Sequence, residues 1–197
     1  MFSESPIVVF LHASVGVSGV WSWLTSITAS SFLPYLLGVG ALAVLVAIRP
    51  FRARVWALAL TGLSLIIGRG ILASFIPLLW NRPRPFLSLG FQPTFLVNPT
   101  SAFPSGHVAF LVALAAAVFI VNRRAGWLLG AGALLVGVAR VAAGVHWPTD
   151  VLGGVAVGIL GAWVAWLLIK QYRPIAVSQA EVESAPGVLD VVVEKKF

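Results

Sequence analysis

Apolar residues occur along this chain in six long runs that are separated by short polar stretches. The runs cover residues 7–29, 32–49, 54–80, 105–121, 126–145 and 149–170. A helix rises about 1.5 Å per residue, so roughly 20 apolar residues cross the hydrocarbon core of a bilayer. The pattern predicts an all-α, polytopic membrane protein with six transmembrane helices in one bundle. This domain spans residues 1–170, and residues 171–197 form a polar C-terminal tail. The first run is the weakest, because His12 and several serines and glycines interrupt it, and part of it is expected in the membrane interface.

The overall composition supports a membrane protein and argues against cysteine chemistry and nucleic-acid binding. Of the 197 residues, 59% are hydrophobic and 10% are charged, whereas soluble domains carry about 25% charged residues. The chain has no cysteine, which excludes disulfides and thiolate chemistry. The net charge is +7, but the basic residues are scattered one to three at a time between apolar runs. That distribution is typical of membrane topology, so we expect no nucleic-acid partner.

Basic residues are unequally divided between the two sides of the predicted bundle. One side carries seven of them: Arg49, Arg52, Arg54, Arg123, Arg124, Lys170 and Arg173. The other side carries Arg82 and Arg84, in the long polar loop 81–104. Cytoplasmic loops are enriched in Lys and Arg. We therefore expect a multi-pass protein of the cell (inner) membrane whose loop 81–104 faces the extracytoplasmic side.

Three polar stretches carry most of the charged and titratable residues outside the basic side. They read "NRPRPF", "FPSGH" and "ARVAAGVHWPTD", and they contain Asp150, the only acidic residue between positions 5 and 180. Ionisable groups in or near a membrane are costly, so their presence indicates function. In the six-helix arrangement all three stretches reach the extracytoplasmic face, which predicts one shared site.

The residue types in these stretches are suited to binding phosphate. Arg84 and Arg140 present planar forks that match phosphate oxygens. Ser105 is a good N-cap, and Gly106 allows the backbone to approach a ligand closely. The free N–H groups at the start of that helix form an anion site.

The two histidines and the carboxylate add the chemistry of phosphoryl transfer. His146 and Asp150 are four residues apart, and Pro148 places Asp150 in the first turn of the last helix. A carboxylate there orients the imidazole, which attacks phosphorus, while His107 protonates the leaving oxygen. A single carboxylate is a poor ligand set for Mg²⁺, so no metal and no cofactor are expected.

These motifs resemble those of the type-2 phosphatidic acid phosphatase superfamily. Arg84-Pro85 is similar to the end of its first motif, Pro104–His107 to its second, and Arg140, His146 and Asp150 to its third. The resemblance implies a phosphohistidine intermediate on His146, orientation by Asp150 and acid catalysis by His107. It also implies substrate phosphate contacts from Arg84, Ser105, Gly106 and Arg140.

Two positions depart from the family pattern. Pro77 stands where the family has the lysine of its first motif, and Ala139 stands where the family has a serine. The missing lysine leaves one phosphate contact without a residue, and either Arg82 or Arg69 is a hypothetical substitute. Arg82 is assigned to the phosphate site, with a headgroup-contacting role as its alternative. Arg69 lies inside the third run and is expected to serve helix packing or interior pairing.

The residues in and around two of the motifs indicate a substrate. The stretches "RPRPF" and "GVHWPTDVLGG" are most similar to those of bacterial undecaprenyl-diphosphatases. The resemblance implies hydrolysis of undecaprenyl diphosphate to undecaprenyl phosphate, with a lipid phosphate substrate and membrane lipids as partners. Phosphatidylglycerophosphate or phosphatidate phosphatase activity is an alternative. A lipid transporter with a phosphate-binding mouth, or a non-catalytic scaffold that kept the motifs, represents a different class.

Overall fold

The computed structural model describes residues 4–16, 18–48, 50–95, 97 and 100–174. These residues form helices and connecting segments without a strand, as the all-α prediction requires. The helices are α1 Ser5–Gly16, α2 Gly19–Ala29, α3 Phe32–Val46, α4 Phe51–Leu65, a π-helix Ile66–Leu72, α5 Ala73–Leu79, α6 Pro85–Leu89, α7 Gly106–Val121, α8 Arg123–Ala142, α9 Pro148–Ile169 and a short 3₁₀ helix Lys170–Tyr172. Arg49 and most of the predicted tail, 175–197, lie outside the described residues.

The described helices include several that are suited to crossing a membrane. Three are long and apolar enough by themselves: Phe51–Leu79, Arg123–Ala142 and Pro148–Tyr172. A fourth crossing results if α2 and α3, which are bent by 48° at their junction, count as one span. The helices α1 and α7 are apolar but shorter. Membrane-spanning helices are therefore present, but the number of six is not confirmed.

The first apolar run departs most from the predicted crossing. It breaks near Ser18, whose side chain caps α2 by accepting the Trp21 N–H. The segment just before the run lies beside α9, because Glu4 accepts the backbone N–H of Thr149. The end of the run lies beside α8, because the carbonyl of Ala29 accepts a bond from Arg140. Both ends of the run are thus at the same end of the bundle. Of the residues that weakened the prediction, Gly16, Ser18 and Gly19 lie where the helix breaks, whereas His12 lies inside α1.

The third run forms one long but irregular helix. Its middle turn is the π-helix Ile66–Leu72, which connects α4 to α5 and contains Arg69. Pro77 lies inside α5, where it cannot donate a backbone N–H to the preceding turn. The irregular part of this helix is therefore the π-helix, which ends more than one turn before Pro77. Such π segments occur mostly as local bulges in helices and often at functional sites.

The helix α7 forms the centre of the bundle and contacts α3, α4, α8 and α9. The approach of α9 is close because it carries glycines on the packed face. A Cβ added at Gly158 would lie 2.8 Å from the carbonyl oxygen of Ala109, and one at Gly161 would lie 2.6 Å from the Cα of Gly68. Small residues allow close helix contacts, which replace hydrophobic burial as the source of stability in lipid. They also fix α9 against the π-helix.

The two ends of the bundle differ in character. The starts of α4 and α8 and the end of α9 lie at one end, where the indole N–H of Trp56 donates to the carbonyl of Ile169. Arg52, Arg123 and Lys170 are on these segments. The end of α5, the start of α7, the end of α8 and the start of α9 lie at the other, here called the site end. The basic residues and the three polar stretches are thus on opposite ends.

Candidate active site

A cavity of about 730 Å³ opens at the site end. It is formed by the upper part of the third run, the start of α7, the end of α8 and the loop that leads into α9. The charged and titratable side chains in its wall are Arg69, Arg84, His107, Arg140 and His146. Among the described residues that line it, three are arginines and none is a carboxylate, so the wall is suited to an anion.

His146 lies in the loop before α9 and is paired with Asp150. The carboxylate occupies the first turn of α9, where its Oδ2 accepts the Trp147 backbone N–H at 2.7 Å. The same oxygen lies 3.6 Å from Nδ1 of His146. That separation is longer than a hydrogen bond, and the buried Nδ1 has no other partner. Catalytic contacts of this kind often tighten when substrate binds. The pairing directs Nδ1 towards the carboxylate and leaves Nε2 as the nitrogen available for attack.

His107 is the second residue of α7 and lies in the same cavity wall as His146. Its Nε2 is 3.0 Å from the hydroxyl of Ser31, at the junction of α2 and α3. The hydroxyl can donate or accept, so this contact fixes the ring position without fixing its tautomer. The second and third polar stretches therefore each supply one imidazole to one cavity.

Arg84 and Arg140 are buried in the wall and are oriented by backbone carbonyls. The Nη1 of Arg84 donates to Val145 at 2.9 Å, and its Nε donates to Thr100 at 3.0 Å. Arg140 donates from Nη1 to Ala29, and its Nε is buried without a partner. Their exposed fractions are 7% and 4%. Carbonyl partners orient the guanidinium groups without neutralising them, so both positive charges remain available to an anion.

Ser105 and Gly106 form the entrance to α7. Ser105 is the N-cap residue, and its N–H donates to the carbonyl of Asp150 at 2.9 Å. Its fully buried hydroxyl makes no capping bond and has no partner. It is not part of the cavity wall, whereas Gly106 is. The first turn of α7 thus presents free N–H groups to the cavity, and one buried hydroxyl beside it is unpaired.

Arg82 lies outside the cavity wall, although the sequence assigned it to phosphate binding. Its Nη1 donates to Oδ1 of Asp150 at 2.7 Å, and its Nη2 donates to Oε1 of Glu4 at 2.8 Å. Its guanidinium also lies 5.4 Å from the ring of Trp147. Asp150 is also absent from the wall and is 0% exposed. Arg82 therefore contacts the carboxylate of Asp150 rather than the wall of the cavity.

Arg69 lies in the cavity wall, although the sequence predicted a packing role. A Cβ added at Gly106 would lie 3.0 Å from Nε of Arg69, so the side chain extends over the first turn of α7. Its Nη1 donates to the hydroxyl of Ser74 at 3.3 Å. Arg69 belongs to the π-helix, and one extra residue in a turn changes the face on which the following side chains lie.

Burial shapes the ionisation of the loop residues. Loss of hydration lowers the pKa of His146 from 6.5 to about 4, and the positive charges of Arg140 and Arg84 act in the same direction, while Asp150 opposes them. Burial also lowers the pKa of Arg84, an effect that Asp150 opposes. At neutral pH His146 is therefore an uncharged imidazole, the form that acts as a nucleophile.

Two contributors to the site were not found in the sequence. Ser31 is one of two adjacent serines in the short connection before α3. Nothing in the sequence indicated that the hydroxyl of Ser31 would contact His107. Glu4 was visible, because it is the only acidic residue before Asp150. Partial burial opposes its ionisation, but bonds from Thr149 and Arg82 outweigh that effect and lower the pKa of Glu4.

The chain is similar in sequence to several known proteins. Residues 54–174 match the PAP2 superfamily. Over 99 residues the chain is 32% identical to undecaprenyl-diphosphatase BcrC of Bacillus subtilis, covering 50% of this chain and 51% of that protein. Over 91 residues it is 35% identical to an undecaprenyl-diphosphatase of Sulfolobus acidocaldarius, covering 44% and 42%. Over 71 residues it is 35% identical to the bacitracin transport permease protein BcrC of Bacillus licheniformis, covering 36% and 35%. The chain spans about half or less of the length of these curated relatives.

Two solved structures share the fold. LpxE of Aquifex aeolicus superimposes with a TM-score of 0.64 at 20% identity, covering 82% of this chain and 93% of that one. The first transmembrane PAP2 type phosphatidylglycerolphosphate phosphatase from Bacillus subtilis gives a TM-score of 0.57 at 25% identity, covering 86% and 85%. The family match covers more than half of the chain and contains all three polar stretches. This chain therefore belongs to the PAP2 superfamily.

Proposed function

We propose that this protein is an integral-membrane lipid phosphatase that acts through a phosphohistidine on His146. One observation carries the proposal: two histidines and three arginines line a single cavity at the site end. A phosphoryl group in transfer spreads negative charge over its equatorial oxygens, and preorganised cations stabilise that charge. The cavity is suited to this task, because Arg84 and Arg140 are held by carbonyls and Arg69 by the hydroxyl of Ser74, so none of the three is neutralised by a carboxylate.

The proposed reaction has two steps. Nε2 of His146 attacks phosphorus and forms a P–N bond as the P–O bond to the leaving group breaks, and His107 gives its proton to the leaving oxygen. A water molecule, deprotonated by His107, then attacks the phosphohistidine. Cleavage of the P–N bond releases inorganic phosphate and restores His146. Asp150 orients the attacking imidazole and stabilises the positive charge that the ring gains.

The proposed phosphate contacts come from four wall elements. Arg84 and Arg140 bind oxygens from the sides, and the N–H groups at Gly106 bind from the start of α7. Arg69 supplies the charge that the family places at position 77. Ser105 contributes its unpaired hydroxyl from behind this turn. In this proposal the arginines replace a metal ion as the source of positive charge, so catalysis is metal-independent.

The proposed substrate is undecaprenyl diphosphate, which is converted to undecaprenyl phosphate. Relatives at 32% and 35% identity carry the name undecaprenyl-diphosphatase, and this is the observation in favour of that lipid. The solved phosphatidylglycerolphosphate phosphatase, at 25% identity over most of the chain, favours that lipid as the second candidate. The transporter alternative has one relative whose name describes transport.

The proposed membrane arrangement has the cavity on the extracytoplasmic side. Cytoplasmic loops are enriched in Lys and Arg. The basic residues at the opposite end of the bundle therefore support a cytoplasmic position for that end and an extracytoplasmic position for the cavity. Five crossings follow if α3, the α4–α5 helix, α7, α8 and α9 each span the bilayer. The first run, whose two ends contact the site end, then lies near the outer interface in place of the sixth crossing.

Phosphate release by the purified protein in detergent tests the function. We expect release from undecaprenyl diphosphate with EDTA present, and a loss of at least about a thousandfold in His146→Ala. His12→Ala is the matched control, because His12 stacks on Phe91 outside the cavity. Release that persists in His146→Ala contradicts the mechanism. Lipid binding without release favours the transporter, and a higher kcat/KM for phosphatidylglycerophosphate favours the second substrate.

A further inference from the structure

We propose that Glu4 is a positioning residue for the catalytic carboxylate and that it acts through Arg82. The proposal rests on the phosphatase function above. Glu4 and Arg82 are absent from the cavity wall, so neither one is placed to touch substrate. The three side chains form a chain of contacts that begins at Glu4, passes through Arg82 and ends at Asp150.

The contacts of Arg82 show how this chain is built. Its two terminal nitrogens are divided between two carboxylates, with Nη2 on Glu4 at 2.8 Å and Nη1 on Asp150 at 2.7 Å. Nη1 also donates to the hydroxyl of Thr149 at 2.6 Å. The guanidinium is planar, so fixing one nitrogen fixes the direction of the other. Glu4 therefore determines where Arg82 meets Asp150.

Both oxygens of Asp150 have assigned partners. Oδ1 accepts from Arg82, while Oδ2 accepts the Trp147 N–H and faces His146. A rotation of the carboxylate would move Oδ2 away from the imidazole. The bond to Oδ1 thus fixes the orientation that Oδ2 presents to His146, in the way that outer partners orient metal-bound and catalytic ligands.

Charge balance gives Glu4 a second effect on the same group. Without Glu4, Arg82 would carry an uncompensated positive charge 2.7 Å from Asp150, and it would weaken the attraction of the carboxylate for the imidazolium. With Glu4 in place, the pair Glu4–Arg82 is close to neutral. Asp150 then keeps its negative charge for His146.

Glu4 also caps α9, which provides a structural role that the experiment must separate. Its Oε2 accepts the Thr149 N–H at 2.9 Å, and its Oε1 accepts the Thr149 hydroxyl at 2.8 Å. The backbone N–H groups of a first helical turn have no partner within the helix. A loss of this cap lowers stability whether or not Arg82 is present, whereas a loss of positioning requires Arg82.

A double-mutant cycle on phosphate release separates the two roles. The proteins are wild type, Glu4→Gln, Arg82→Gln and the double variant, with Ser14→Ala as a control on the exposed side of α1. We expect Glu4→Gln to lower kcat about tenfold with KM changed less than twofold. In the Arg82→Gln background we expect the same substitution to leave kcat unchanged. The thermal midpoint of each protein records the capping role.

The outcomes are distinct. An unchanged kcat in Glu4→Gln, or an equal loss in both backgrounds, overturns the positioning role while wild-type activity upholds the proposed function. A wild type that releases no phosphate from any lipid tested overturns the function and this role with it. If Glu4→Gln does not fold, Glu4→Asp takes its place in both backgrounds, with a loss of kcat that depends on Arg82 as the expected result and an unchanged kcat as the contrary one.

Discussion

Arg69 offers the most direct test of the proposal that the cavity binds phosphate. The structure places its guanidinium over the first turn of α7, with Nε 3.0 Å from the position of a Gly106 Cβ. Arg69→Ala removes one of the three positive charges in the cavity wall and leaves the π-helix backbone in place. Its Nη1 contact with Ser74 is a single long bond of 3.3 Å, so the substitution removes little else.

The expected loss follows from the exposure of this side chain. Two unit charges 4 Å apart interact by about 1 kcal/mol in water and by about 4 kcal/mol at an effective dielectric constant of 20. Arg84 and Arg140 are almost fully buried, whereas Arg69 is exposed to the open cavity. We therefore expect about 2 kcal/mol for a bound phosphate, which corresponds to a loss of roughly thirtyfold in kcat/KM.

A charge placed on the neighbouring helix should compensate. Pro77 lines the same cavity from α5, and it occupies the position at which the family has a lysine. We expect the double variant Arg69→Ala with Pro77→Lys to recover at least fivefold of the lost kcat/KM, because a Lys side chain reaches the same wall. Pro77→Lys in the wild-type background shows whether the proline itself matters.

The assay is phosphate release from undecaprenyl diphosphate in detergent, with kcat and KM measured separately. Arg124→Ala is the control, because it removes an equal charge at the opposite end of the bundle. A loss below threefold in Arg69→Ala refutes the assignment of Arg69 to phosphate. If Arg82→Ala and Arg69→Ala both leave turnover unchanged, neither one replaces the missing lysine.

Three further predictions follow from packing, ionisation and topology. Gly161→Ala should lower both thermal stability and activity, because its Cβ would lie 2.6 Å from the π-helix backbone. Gly130→Ala is the control and should be neutral, because a Cβ there meets nothing within 4 Å. Equal thermal midpoints for the two variants contradict the close contact. Burial lowers the pKa of His146 from 6.5 to about 4 in the folded protein. Between these two pH values the unfolded chain binds a proton at His146 that the folded protein does not, so the free energy of unfolding decreases as pH falls. The thermal midpoint should drop less over that range in His146→Gln, and an equal drop contradicts the burial effect. Because the chain has no cysteine, Ser88→Cys should react with an impermeant maleimide on intact cells and Arg124→Cys only after lysis; the reverse pattern contradicts the proposed orientation.

Much of the site could be predicted because its residues are close together within short stretches. The four-residue spacing from His146 to Asp150 predicts a pair wherever a helix begins between them, and α9 begins at Pro148. Likewise, Gly106 and His107 lie in the first turn of a helix, where the backbone N–H groups have no partner within the helix whatever the fold. These are local properties, and the structure brings the corresponding residues together around one cavity.

Other assignments required the path of the chain in three dimensions. Arg69 and Arg82 were both candidates for the missing charge, and the sequence favoured Arg82. The structure favours Arg69 instead, because Arg69 lies in the cavity wall whereas Arg82 is bonded to Asp150. Glu4 lies 145 residues from Thr149 in sequence, and no periodicity connects such positions. The composition of the first apolar run left open whether it crosses the membrane. Its contacts with α8 and α9 place both of its ends at the site end.

The sequence by itself determined the all-helical membrane character, the separation of the basic end from the site end, and the three polar stretches that supply two histidines, a carboxylate and two buried arginines to the site end. These follow from hydropathy, charge placement and local helix geometry, each of which acts over a few turns. Only the tertiary structure decided which further charges reach the cavity and which ones support the carboxylate, because the direction of a long side chain depends on backbone irregularities and on partners that the fold brings from distant parts of the chain.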